Sequence, residues 1–134
     1  TAKYFKLTKK LILATNFQGG IYDTSDTNIN TFENEYFILG GATSLRGYSD
    51  LNETITGQRN LLTNIELRYN SSQSIQFITF LDYGNAFDTN INISNFKTGY
   101  GLGFRYITPI GPIRLDLAKG EKDYFIHMGL GQLF

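Results

Sequence analysis

The chain has no cysteine and no tryptophan, one histidine and two prolines among its 134 residues. Without cysteine there is no disulfide framework, no thiolate metal site and no cysteine nucleophile. The lone His127 leaves a histidine metal site or a Ser-His-Asp triad resting on one residue. No resident metal, no cofactor and no covalent catalysis are therefore expected. Long hydrophobic runs are missing as well. None exceeds four residues, as in Leu11 to Ala14, whereas a membrane helix needs about 20. Nor is one sign of charge in excess: 12 Lys and Arg balance 12 Asp and Glu, which gives no electrostatic reason to expect nucleic acid as a partner. The chain begins at Thr1 and carries no secretory signal, so a processed form or a fragment of a longer protein is expected. What is abundant is Phe (11), Tyr (9) and Gly (14). That is the composition of strands and turns.

Hydrophobic periodicity agrees. In Lys10 to Tyr22, Leu11, Leu13, Thr15 and Phe17 alternate with Ala14, Asn16 and Gln18, a period of two rather than 3.6. Ala2 to Leu7 reads as the end of another strand, turned at Thr8-Lys9. Asp23 to Asn34 is rich in Asp, Thr, Ser and Asn and reads as loop. Glu35 to Gly57 keeps no clean period and holds Gly40-Gly41 and Arg46-Gly47-Tyr48. An irregular stretch of that length in a compact domain tends to be functional. Alternation returns in Gln58 to Asn70, where Leu61, Thr63, Ile65, Leu67 and Tyr69 oppose Asn60, Leu62, Asn64, Glu66 and Arg68. It continues in Ser74 to Tyr83, with Gly84-Asn85 beginning a turn and Asp88 to Asn95 a polar loop. In Lys97 to Ile107 the faces separate sharply, Tyr100, Leu102, Phe104 and Tyr106 against Gly99, Gly101, Gly103 and Arg105. Pro109 to Pro112 forms a turn. Ile113, Leu115 and Leu117 then alternate with Arg114, Asp116 and Ala118. After a charged turn at Lys119 to Asp123, Tyr124, Ile126, Met128, Leu130 and Phe134 form one face of a last strand. The expected fold is all-β: an antiparallel meander of about six to seven strands, each near the length that spans a bilayer.

A soluble β-sandwich and a membrane barrel both alternate. Three details favour the barrel. Glu66, Arg68, Asp82, Arg105, Arg114 and Asp116 stand at mid-strand on the polar faces, which suits a wet lumen. Aromatics gather near strand ends, as in an interfacial girdle. The chain also finishes on a strand ending in Phe134. The glycine row at 99, 101 and 103 lies within a strand and lacks a following Gly-Lys-Ser/Thr, so it is not a phosphate loop. It suits close approach of an inner loop to a bare wall. His127 reads as a lumen or seam residue. Asn52-Glu53-Thr54 and Asn70-Ser71-Ser72 match glycosylation sequons by chance.

A set of motifs carries a resemblance. They are Gly40-Gly41-Ala42-Thr43-Ser44-Leu45-Arg46-Gly47-Tyr48, Asn64-Ile65-Glu66-Leu67-Arg68-Tyr69 and Phe80-Leu81-Asp82-Tyr83-Gly84-Asn85-Ala86-Phe87. They continue with Gly99 to Tyr106, Pro109 to Asp116 and the ending Gly129-Leu130-Gly131-Gln132-Leu133-Phe134. In order and spacing they resemble the bacterial surface antigen barrels of the BamA type, over nearly the whole chain from Lys10. The resemblance implies the C-terminal part of a transmembrane barrel in a bacterial outer membrane, one domain over 1–134. A long inner loop, about 23–57, would fold into the lumen, and the periplasmic repeats and first half of the barrel would be absent. It implies that Arg46 meets carboxylates on the inner wall, at positions matching Glu66 and Asp82. Gly47 would permit a tight backbone turn and Tyr48 would pack the loop. Its function would be insertion, assembly or translocation of outer-membrane proteins. The alternatives are a passive pore or membrane anchor without insertase activity, and a soluble β-sandwich binding module. So few strands cannot close a membrane barrel, so the edges, read as the strand at Leu11 and Leu13 and the strand from Tyr124 to Phe134, must be paired. The expected partners are lipid, a second copy or the missing half of the barrel, and unfolded outer-membrane proteins.

Overall fold

A computed structural model of the chain describes residues 1–22, 36–49 and 55–134. The loop read at Asp23 to Asn34 and the sequon at Asn52 lie outside the described residues. The strands are β1 (Ala2–Lys6), β2 (Leu11–Ile21), β3 (Phe37–Leu39), β4 (Ile55–Gly57), β5 (Arg59–Asn70), β6 (Ile75–Phe87), β7 (Lys97–Thr108), β8 (Gly111–Lys119) and β9 (Tyr124–Leu130). Seven of them form one antiparallel sheet in the order β1-β2-β5-β6-β7-β8-β9, and β3 pairs with β4 in a separate two-stranded sheet. The large sheet is a meander interrupted only by the excursion between β2 and β5. Its outer strands β1 and β9 are not paired with each other, so it is open, as in part of a barrel.

The sheet is inside-out relative to a soluble protein. Its buried side chains include Asn16, Asn64, Glu66, Arg68, Asp82, Arg105, Arg114 and Asp116, while Leu102 is 61% exposed, Ile126 72% and Met128 76%. The register explains why one face is uniform. Leu67 stands opposite Thr79, Thr79 opposite Leu102, Leu102 opposite Leu117 and Leu117 opposite Ile126. A slip of one residue in any pair would carry charged residues to the outer face.

Four sequence expectations are corrected. β6 does not turn at Gly84-Asn85: these residues pair with Leu62 and Leu61, and the ladder runs on to Phe87 opposite Arg59. The ladder to β5 outweighs local turn preference, and glycine suits the tight fit, since a Cβ on Gly84 would lie 2.8 Å from the Leu61 carbonyl oxygen. Pro112 belongs to β8, opposite Ile107. The stretch from Glu35 to Gly57 holds the short β3–β4 pair and a 3₁₀ turn at Gly41–Thr43, elements too short to show a period. Finally, β9 stops at Leu130. Gly131, at φ 88°, turns the chain and donates its N–H to the Pro112 carbonyl at 2.8 Å. Phe134 is therefore not a strand residue; its carbonyl accepts a bond from Arg68 Nη2 at 3.1 Å.

Candidate functional site

The segment from Gly40 to Tyr48 enters the concave side of the sheet. Gly41 takes φ 73°, a conformation L side chains avoid, and its N–H bonds the Tyr48 carbonyl at 2.7 Å. The Ser44 hydroxyl donates to the Gly40 carbonyl at 2.7 Å. These bonds close the segment into a hairpin-like tip with Leu45, Arg46, Gly47 and Tyr48 buried at its end.

Arg46 is fully buried and each part of it is engaged. Its Nε and Nη2 donate to the Asp82 carboxylate of β6, both at 2.8 Å, in the parallel fork that guanidinium geometry favours. Nη1 donates to Glu66 Oε1 of β5 at 2.7 Å and lies 3.6 Å from Asp116 Oδ2 of β8. The backbone N–H of Arg46 also donates to Asp82, at 3.1 Å, and Cζ sits 3.5 Å from the centre of the Phe80 ring. Its carbonyl is 2.7 Å from His127 Nε2 on β9. One residue thus touches β5, β6, β8 and β9, and only a strongly curved sheet brings these strands around a single side chain.

Each carboxylate is further satisfied, which buried charges require. Arg68 Nε donates to Glu66 Oε2 at 2.8 Å. Asn64 Nδ2 donates to Asp82 Oδ1 and to the Ser44 carbonyl, both at 2.8 Å. Arg105 pairs with both oxygens of Asp116. Arg114 Nη2 donates to the Ala42 carbonyl at 2.8 Å, tying β8 to the loop. Converging carboxylates often hold a metal, but here guanidinium groups fill that place. Among the described residues no group of three or more His, Cys, Asp or Glu side chains is arranged to hold a metal ion.

Glycines let the loop approach the wall. A Cβ on Gly47 would lie 2.6 Å from the Lys119 carbonyl oxygen and 2.7 Å from Gly120 Cα; one on Gly99 would lie 2.8 Å from Gly47 N. Gly47 has no positive φ, yet it stands with Arg46 at the centre of a tight turn closed by the Tyr48 N–H donating to the Leu45 carbonyl at 3.2 Å, and its missing side chain also lets the two backbones meet. Of the glycine row, only Gly99 faces the loop. Gly101 makes room for the Phe80 ring, and Gly103 for the Arg105–Asp116 pair. Tyr48 donates its hydroxyl to the Thr98 carbonyl at 3.2 Å and packs with Leu39, Leu45, Leu62 and Ala86.

The structure places Arg46 against Glu66 and Asp82, with Gly47 and Tyr48 buried beside it at the loop tip. The edge residues fare differently. Tyr124, Ile126, Met128 and Leu130 lie on the outer strand β9 with exposed side chains. Leu11 and Leu13 lie on β2, one strand in from the edge, which is β1; Leu13 pairs with both Phe5 and Leu67. Sequence reasoning placed Asp116, Arg105 and Arg114 on the polar face but did not join them to Arg46. It also missed the Phe80 ring and the His127 contact. The pairing of Arg46 with a third strand depends on sheet curvature, which no local pattern encodes.

A chloroplastic relative from Arabidopsis thaliana, outer envelope protein 80, is 28% identical over 108 residues, which cover 72% of this chain and 15% of that protein. The chain thus spans a small part of that relative's length. The model of the Omp85 superfamily domain matches residues 1–134. With that match over its full length, the chain belongs to the Omp85 superfamily, whose members are outer-membrane or outer-envelope proteins and whose range of functions includes insertion and translocation of outer-membrane proteins.

Proposed function

We propose that this chain forms part of a BamA-type barrel that takes part in inserting or translocating other proteins at a bacterial outer membrane, by arranging strands and lipid rather than by covalent catalysis. The observation that carries the reading is Arg46, held by carboxylates of three strands on the concave side of an open sheet. The anchored loop stiffens the middle of the sheet. The outer strands β1 and β9 keep backbone groups without partners in the sheet. In lipid such groups must be paired, so the edges are satisfied by a second copy of the chain or by further strands of the same barrel. An edge that must pair, on a rigid wall, can also template an incoming strand. A bacterial membrane is part of the proposal on the strength of the surface-antigen motifs. The passive-pore reading is weaker, because Leu45, Arg46 and Tyr48 occupy the concave side that a pore would leave open.

The test is a reconstituted folding assay. Vesicles carrying the chain, with whatever strands complete its barrel, should fold a client barrel several-fold faster than empty vesicles. Ion conductance without faster client folding would favour the passive pore.

A further inference from the structure

Charge is segregated along the strands. No Asp or Glu occurs in residues 1–22, 67–79, 102–115 or 124–134, which contain the end of the sheet closed by the short turns β1–β2, β5–β6 and β7–β8. The acidic residues of the undescribed stretches belong to the excursion between β2 and β5, which joins the sheet at the opposite end, beside the Ile21–Arg59 pair. Cations are present at the short-turn end. Lys6, Lys9 and Lys10 lie there and are exposed. The ion pairs of the described residues run through Arg46, Arg68, Lys97, Arg105 and Arg114 and include none of these three lysines.

The turn that carries Lys9 and Lys10 is built, not loose. The Thr8 hydroxyl accepts the N–H of Lys10 at 3.2 Å and of Leu11 at 3.1 Å. Leu7 and Thr8 both donate to the Leu11 carbonyl, at 2.9 and 3.1 Å, and the Lys10 carbonyl accepts the Asn70 N–H at 2.8 Å, which ties the turn to β5. Directly after Lys10, Leu11 begins the apolar outer face. With Tyr69, Phe77 and Leu102 it lines a crevice of about 200 Å³, where Thr79 is the short member of the row between Leu67 and Leu102. Tyr69 stands opposite Leu11, and Tyr106 opposite Ile75 and Ile113. Aromatics at strand ends mark the height where bilayer meets water. Lys9 and Lys10 stand just beyond that height, among headgroups. Short turns of outer-membrane barrels face the periplasm, on the side where the leaflet is built of phospholipid.

From this arrangement we propose that the turn at 7–10 and the crevice beside Leu11 seat one anionic phospholipid of the periplasmic leaflet, with its phosphate at Lys9 and Lys10 and an acyl chain between Tyr69, Phe77 and Leu102. Two ammonium groups at an end of the sheet without carboxylate side chains select negative charge. The adjoining crevice selects a phosphate that carries a hydrocarbon chain over free phosphate. The proposal rests on the reading of the chain as an outer-membrane barrel, and it goes beyond general lipid contact in naming a headgroup and a leaflet.

The full chain, in its completed barrel, is reconstituted in an equimolar mixture of phosphatidylglycerol and phosphatidylcholine. It is then extracted in mild detergent, and the lipid that co-purifies is quantified by mass spectrometry. A lysine beside an anionic headgroup predicts about fivefold enrichment of phosphatidylglycerol, and two predict at least that. Lys9→Gln combined with Lys10→Gln should bring the ratio to that of the bulk mixture. Thr79→Phe should reduce the retained phosphatidylglycerol by filling the crevice. Lys122→Gln, an exposed lysine at the other end of the sheet, should leave it unchanged. The site alone is overturned by no preference in the unaltered chain, by a preference that survives the double substitution, by one that Lys122→Gln removes equally, or by retention that Thr79→Phe leaves intact. Absence of retained lipid of either kind overturns the membrane-facing reading with it.

Discussion

Replacing Arg46 with alanine removes the centre of the inner network. The side chain gives three charge-assisted hydrogen bonds, two to Asp82 and one to Glu66, as well as the contact with the Phe80 ring. The consequences for the carboxylates are unequal. Glu66 retains Arg68, and Asp116 retains Arg105. Asp82 loses the one cation paired with it among the described residues and keeps Asn64 and one backbone N–H, although its side chain is fully buried. Stranding a buried charge in this way costs about 3–5 kcal/mol. Arg46→Lys should recover only part of this, because an ammonium cannot fork onto one carboxylate while reaching a second strand. Adding Asp82→Asn to Arg46→Ala should recover part as well, since the stranded charge is then gone. The assay is urea unfolding of the barrel in vesicles, with Lys122→Ala as an exposed control. If Arg46→Ala and Lys122→Ala unfold at midpoints equivalent to within about 1 kcal/mol, or if Asp82→Asn makes Arg46→Ala worse, the network does not hold the loop as described.

Leu102→Arg on the outer face should destabilise the folded barrel by about 2–4 kcal/mol, while Gln18→Arg on the inner, polar side of β2 should be mild; equal effects in vesicle folding would speak against a lipid-facing sheet. Gly47→Ala forces a Cβ against the backbone of Lys119 and Gly120 and should cost about 1–3 kcal/mol, whereas Gly129→Ala, whose Cβ would meet only Arg114 at 3.4 Å or more, should be near neutral in the same unfolding experiment. Cysteines placed at Tyr4 on β1 and Met128 on β9 should cross-link between chains if two copies complete the barrel. A single-chain particle with no cross-link, and no other strands present, would refute the need for a partner.

Much of this fold is legible in the sequence because each side chain of a strand is committed to one of two sides. Leu102 and Asp82 can be assigned to faces from their neighbours alone, and the inside-out burial follows once the polar face is recognised as a lumen. Gly84-Asn85 misleads for the same reason that local signals fail in sheets: its conformation is decided by Leu61 and Leu62 on the next strand. Phe134 misleads because the alternation continues through Gly131, whose positive φ is invisible in the pattern. The ionic site is legible in part. Glu66 and Asp82 were matched to Arg46 through motif resemblance and their common face. Asp116, three strands from Glu66 in the sheet order, joins them only through curvature.

The central claim, that one face of this sheet meets lipid while the other encloses an anchored loop, is tested most directly on β6. The chain has no native cysteine, so single cysteines at positions 76 to 79 and 81 can be labelled without background. A maleimide confined to the bilayer should label Phe77→Cys, Thr79→Cys and Leu81→Cys, and should not reach Gln76→Cys or Ile78→Cys, in step with their burial. Labelling without a period of two, or labelling of the inner positions in preference to the outer ones, would contradict the account.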